Sequence, residues 1–148
     1  MLTTTLIALF KRDLNKLKQE IEAYQNEENL WLSNETVANS AGNLCLHLVG
    51  NLNHFIGAAL GNSGYVRQRD LEFSLKNVPR LELLKQVDET ILIIESTLQG
   101  LSKTDLEQEY THRVFQKPMS TEYFLVHLIM HLAYHLGQIN YHRRLLDK

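Results

Sequence analysis

Leu6, Phe10, Leu14, Leu17, Ile21 and Tyr24 recur at steps of four, four, three, four and three, with Lys11, Arg12, Lys18 and Glu20 off that line. This is the stripe of an amphipathic helix, and it predicts a first helix over residues 3–25. The polar run Asn26-Glu-Glu-Asn29 ends it. Leu30-Trp31-Leu32 follows as a short apolar link across one end of the fold, with Trp31 read as a packing anchor rather than the lining of a pocket mouth. Asn39-Ser40 offers an N-cap for a second helix over residues 41–60, which Gly61-Asn-Ser-Gly64 breaks. Residues 61–78 are longer than an antiparallel hairpin requires and are expected to cross over the fold. Pro79 suits the first turn of a third helix with the core stripe Leu84, Val87, Ile91, Ile94 and Leu98, closed by Gly100. Residues 101–119 have no clear period and predict a short helical turn and an irregular return ending at Pro118. Ser120 then caps a fourth helix, with Glu122 in its first turn where the dipole favours a carboxylate. Four long amphipathic helices predict an all-α fold: a four-helix bundle with a long crossover between helices two and three, forming one domain over residues 1–148.

Composition narrows the class without naming a chemistry. A chain of 148 residues can bury roughly 70% of its unfolded surface and needs no staples. Its hydrophobic share of 44% and charged share of 22% are those of an ordinary globular protein. With a formal charge of -2 there is no basic excess to neutralise phosphates, which argues against nucleic acid as the main partner. The single cysteine, Cys45, excludes an intrachain disulfide and fits a reducing compartment. The apolar run before Lys11 and Arg12 is too short for a secretory signal and carries its charges on the wrong side. No stretch approaches a membrane span, so a cytoplasmic location and no membrane partner are expected.

The last helix departs from a plain core stripe. His127, His131, His135 and His142, four of the seven histidines, fall within roughly 80° of one face, with Gln138 among them. Leu128, Leu132, Leu136 and Ile139 flank that stripe, so the imidazoles should edge a core or a cavity. On helix two, His47 and His54 share a face with Asn43, Gly50 and Asn51. Burying so many imidazoles together without an ion would leave donors and acceptors unpaired, which points to a metal. His131 and His135 stand one turn apart in mid-helix and are the expected pair, with His47 as third ligand. His127 is left to packing or to the outer shell of the site. His142, beside Arg143 and Arg144, is read as surface or as helix C-terminal charge, and His112 as exposed. His54 falls between pocket lining and rim. Cys45 lies on the opposite side from His47 and is read as a buried structural thiol. The crossover carries Arg67, Arg69, Asp70, Glu72 and Lys76 interleaved with Tyr65 and Phe73. It is either a substrate-recognition loop or, as the simpler reading, a solvated connection pinned by local ion pairs. Three imidazoles suit zinc, nickel, copper and iron alike.

The segments Asn43-Leu-Cys-Leu-His47-Leu-Val-Gly50-Asn51-Leu-Asn-His54 and His127-Leu-Ile-Met-His131-Leu-Ala-Tyr-His135-Leu-Gly137-Gln138-Ile139 resemble the DinB-like (YfiT-like) metal-binding four-helix bundles. The resemblance runs over essentially the whole chain. It implies a metal triad at His47, His131 and His135, a divalent ion that is zinc or nickel in many members, open positions for water or substrate, and a homodimer. Members with an assigned activity are similar to thiol S-transferases using bacillithiol, mycothiol or glutathione; others are described as metal-dependent hydrolases. The leading expectation is therefore a low-molecular-weight thiol held as thiolate at the ion and attacking a small electrophile. Arg67 or Arg69 would hold the thiol's carboxylates, and Asn51, His54 and Gln138 are the pocket candidates. A metal-dependent hydrolase is the second version, weakened because no Asp or Glu lies on the triad face to act as general base. The rival from another class is a non-catalytic metal-binding or ligand-sensing bundle.

Overall fold

The computed structural model describes residues 2–148, and its regular structure is helical. Among those residues the one β-type feature is an isolated bridge between Glu109 and Ser120. Helix α1 spans Leu2–Ala23 and buries Leu6, Phe10, Leu14, Leu17 and Ile21, the predicted stripe, with Tyr24 buried just past its end. It stops short of residue 25 because Asn26 turns to cap a 3-10 segment, Glu27–Trp31, accepting from the Glu28 amide. Trp31 is buried, and its ring lies where a Cβ on Gly42 would stand, so it anchors that end of the fold as read.

Helix α2, Ala41–Leu52, is capped by the Ser40 hydroxyl, which accepts from the Asn43 amide at 3.1 Å. All twelve of its residues are buried. The helix does not run on to residue 60 in one register: Asn53–Ala58 widens into a π-type turn, with the Ala59 amide reaching the His54 carbonyl at 3.1 Å. Two side chains account for the widening. Asn53 Nδ2 donates to the Val49 carbonyl and to Thr90 Oγ1, and the Tyr110 hydroxyl donates to the Phe55 carbonyl at 2.6 Å, so the ladder is partly served from outside. Asn62 and Gly64, with φ of 53 and 79, then make the predicted break.

The crossover is less irregular than its sequence suggested. It contains helix α3, Arg69–Ser74, tied to α2 by Asn43 Nδ2, which donates to the carbonyls of Glu72 and Leu75 at 2.9 and 2.8 Å. Helix α4, Arg80–Gln99, follows Pro79 and buries Leu83, Val87, Ile91, Ile94 and Leu98; Leu83 takes the place read for Leu84, which is half-buried. Helix α5, Lys103–Glu107, starts on a Ser102–Asp105 capping box. Helix α6, Thr121–Leu146, is capped by Ser120 as predicted and buries Phe124, Leu125, Leu128, Leu132 and Ile139.

The four long helices pack in pairs, α1 on α4 and α6, and α2 on α4 and α6. Asp147 closes the ring by accepting from the amides of Gln25 and Asn26 and from Asn29 Nδ2. Phe55 meets Phe124 while His47 meets His131 and His135, so α2 and α6 run antiparallel. Cys45 lies in the core, where burial pushes its thiol up to about 12, in line with the structural reading. No helix among the described residues is long and apolar enough to cross a membrane.

Candidate metal centre

Helical spacing and the antiparallel packing of α2 on α6 bring three imidazoles to one point. His47 Nε2 lies 3.3 Å from His131 Nε2, which lies 3.1 Å from His135 Nε2. One ring nitrogen from each of His47, His131 and His135 lies within 4.8 Å of the others, and the three could hold a metal ion. His47 is buried, and the other two are half-buried. Zinc–nitrogen bonds of about 2.0 Å in a tetrahedron put the nitrogens about 3.3 Å apart, close to both short separations.

The outer nitrogens show why the inner ones suit a cation. His135 Nδ1 lies 2.7 Å from Gln138 Oε1 and can only donate to it. His47 Nδ1 lies 3.0 Å from Glu72 Oε1, an acceptor again. A proton on Nδ1 of each ring satisfies these acceptors, and it would aim an Nε2 lone pair from each at His131 Nε2. A single N–H on His131 can serve one of them, so one lone pair is left facing another unless a cation lies between. Burial, then the neighbouring His135 and His47, pull His131 down to about 4, so protonation is a poor substitute for an ion. Burial also lowers His135, against the opposing Gln138 bond. His131 Nδ1 and Asn51 Oδ1 are buried without partners among the described residues.

Beyond the triad, Glu72 of α3 is 6% exposed and held by Arg67, whose Nε and Nη2 donate to its two oxygens at 2.9 and 3.0 Å. Burial works against its charge, but the bonds from His47 and Arg67 keep the carboxyl below its usual range. Gly50, one turn past His47, makes this possible: a Cβ there would stand 1.9 Å from Glu72 Oε2.

A family model described as "Protein of unknown function (DUF1572)" matches residues 3–148. The chain belongs to that family. No curated protein matches it.

In this DUF1572 chain the other candidates sort by what they touch. Gln138, read as a pocket residue, holds the His135 ring. Arg67, read as a substrate-binding residue, is engaged with Glu72 and lies over the Phe55 ring at 5.7 Å. Arg69 lies over Phe73, whose ring is 5.0 Å from that of His47, and has no acidic partner among the described residues. His54, half-buried, stacks on the exposed His112 with ring centroids 5.7 Å apart, and burial followed by the charge of Arg67 lowers it. His127 packs between Phe115 and Phe124.

Two readings need correction. His142 is not at the surface: it is 2% exposed, with Nδ1 2.7 Å from the Tyr24 hydroxyl and Nε2 donating to the Leu32 carbonyl at 2.8 Å. The Leu32 carbonyl fixes an N–H on Nε2, the Tyr24 hydroxyl is able to donate to Nδ1, and burial lowers the ring's pKa, so a neutral His142 joins α6 to α1 and the link rather than charging the helix end. The site is also not free of carboxylates, because Glu72 arrives from the crossover. The mark of its approach was Gly50, an isolated glycine inside a helical pattern one turn from a histidine.

Proposed function

We propose that this protein holds one divalent transition ion on His47, His131 and His135 and transfers a low-molecular-weight thiol to a small electrophile. The observation that carries the reading is the convergence of three Nε2 atoms, with separations of 3.3 and 3.1 Å along two edges and outer nitrogens anchored on Glu72 and Gln138. Three protein ligands, rather than four, leave room for an exchangeable group. The ion, when bound, would supply the positive charge that favours the thiolate of a thiol co-substrate near neutral pH. His47 and His135 then hold fixed rings. Arg69 has the guanidinium available for a thiol's carboxylate, since Arg67 is committed to Glu72. Asn51, with an unpartnered buried oxygen, is the residue to orient a donor group of the substrate.

The nearest carboxylate is tied to both His47 and Arg67, so it is a poor general base, and the hydrolase reading gains no support. The paired histidine segments and the long crossover also support kinship with the DinB-like four-helix bundles, with zinc or nickel as the ions to try first. We further propose a homodimer through the exposed face of α6, where Tyr123, Val126, Met130, Tyr134, Tyr141 and Leu145 form an apolar stripe. Glu122 and Arg144 lie at its opposite ends, so two antiparallel copies would oppose unlike charges.

The test is elemental analysis of untagged wild type beside His47→Ala, His131→Ala and His135→Ala, followed by a screen of thiol and electrophile pairs. About one ion per chain, lost with each ligand, and turnover that disappears with the metal are expected. Turnover retained by metal-free His131→Ala overturns the enzyme reading; stoichiometric metal with no turnover of any pair favours the non-catalytic bundle.

A further inference from the structure

We propose that Glu72 is a positioning residue that sets His47 in the tautomer able to ligate, so that the crossover helix governs how tightly the site holds its ion. The inference rests on the metal reading above. Glu72 is a carboxylate brought to 6% exposure in a crossover whose neighbours Asp70, Leu71, Ser74 and Leu75 are exposed. Such burial is costly and needs a cause. Three separate features arrange it: Asn43 fixes the α3 backbone through the carbonyls of Glu72 and Leu75, Gly50 leaves the space, and Arg67 grips both oxygens.

The chemistry lies in which proton His47 keeps. Two groups compete for its Nδ1: Glu72 Oε1 at 3.0 Å, which requires an N–H there, and Arg67 Nη2 at 3.4 Å, which would require a lone pair. With Glu72 present, the shorter bond to an anion prevails, Nδ1 is protonated and Nε2 is free to bind metal. Without it, the guanidinium faces Nδ1 alone and draws the lone pair there, putting the proton on Nε2 and blocking the site. Arg67 has a second effect, since its charge cancels that of Glu72 and leaves the ion's own charge uncompensated. Because Glu72 bonds to the outer nitrogen of the ring, it acts through His47.

The experiment uses Glu72→Gln and the double variant Glu72→Gln/Arg67→Met. A glutamine must give its oxygen to Arg67 and so turns its amide N–H groups towards His47. Imidazole nitrogen shifts of the metal-free protein, assigned with His47→Ala, report the tautomer, and zinc titration reports affinity. Wild-type His47 protonated on Nδ1, a switch to Nε2 in Glu72→Gln, zinc binding weaker by about 10–100-fold, and recovery to within a few-fold in the double variant are expected. Recovery on removing a second partner is something that a merely structural loss would not give. Wild-type His47 protonated on Nε2 overturns the proposal whether or not the variants fold. So does Glu72→Gln that binds zinc as tightly as wild type, which leaves the metal site itself standing. Wild type that takes up no zinc removes the metal reading and this inference with it.

Discussion

Alanine at Gly50 and at Gly137 should change stability in opposite directions. Both glycines lie inside long helices, where alanine is worth about 0.5–1 kcal/mol more than glycine. At Gly137 no described residue of the same copy lies within 4 Å of the new Cβ, so in the monomer that gain stands alone. At Gly50 the Cβ would stand 1.9 Å from Glu72 Oε2 and 2.6 Å from its Cδ, and the carboxylate must retreat by roughly 1.5 Å to reach ordinary contact. A glutamate can swing aside, but the retreat takes it out of hydrogen-bond range of both His47 and Arg67. Each ionic hydrogen bond lost in a buried setting is worth about 1.5–3 kcal/mol, which outweighs the helix gain. With the displaced carboxylate and Arg67 rehydrated, about one such bond is lost net, so Gly50→Ala should destabilise the metal-free protein by about 0.5–2.5 kcal/mol, or roughly 2–8 °C in Tm for a domain of this size. Gly137→Ala should stabilise it by about 0.5–1 kcal/mol. Urea unfolding of both variants, at protein concentrations where the midpoint no longer depends on dilution, measures the difference. A Gly50→Ala protein as stable as Gly137→Ala would mean that Glu72 does not dock against α2, and the account of His47 would fail with it.

Two further outcomes follow from the same geometry. In the metal-free protein His131 is held down to about 4 against an ordinary 6.5, so the folded state binds fewer protons than the unfolded one between those values. That stability is present above 6.5 and is lost as the pH falls through the window; for a half-exposed group it amounts to about 1–2 kcal/mol after screening, and His131→Gln should flatten the loss seen by denaturant titration at several pH values. Tyr134→Glu or Met130→Glu, each placing a charge on the exposed stripe of α6, should convert a wild-type dimer to monomer in sedimentation velocity, while a monomeric wild type would remove the dimer proposal.

Helices α1, α4 and α6 were legible because each buries one face, and a period of 3.6 residues is readable wherever burial is one-sided; α2, buried all round, was marked instead by its Ser40 cap and the break after residue 60. Helix α1 shows this most plainly, its stripe from Leu6 to Ile21 being the buried face. The limits of such reading appear at Asn53–Ala58 and at α3. The π-type turn depends on Thr90 and Tyr110, residues far along the chain. Helix α3 is too short to show a period and is held by Asn43 rather than by an apolar stripe. His142 was misread for a related reason: two arginines beside it suggested a charged helix end, whereas Tyr24 and the Leu32 carbonyl, neither near it in sequence, make it a neutral core residue.

The candidate site divides along the same line. His131 and His135 are local, one turn apart, and His47 could be matched to them because α2 carries the same polar stripe. Glu72 could not be found by periodicity, since it reaches His47 through a turn of the crossover and a gap left by Gly50. Its arrival changes the chemical argument. A free carboxylate beside three imidazoles would favour water activation, because a base would stand ready for the proton. Here the carboxylate already accepts from Nδ1 of a ligand candidate and from both arms of Arg67, and the pair is neutral as a whole. What remains facing the three Nε2 atoms is a site with no charge of its own. On the proposed reading, a divalent ion held there would keep its full charge for an incoming anion, and a thiol binding as thiolate would need no further base.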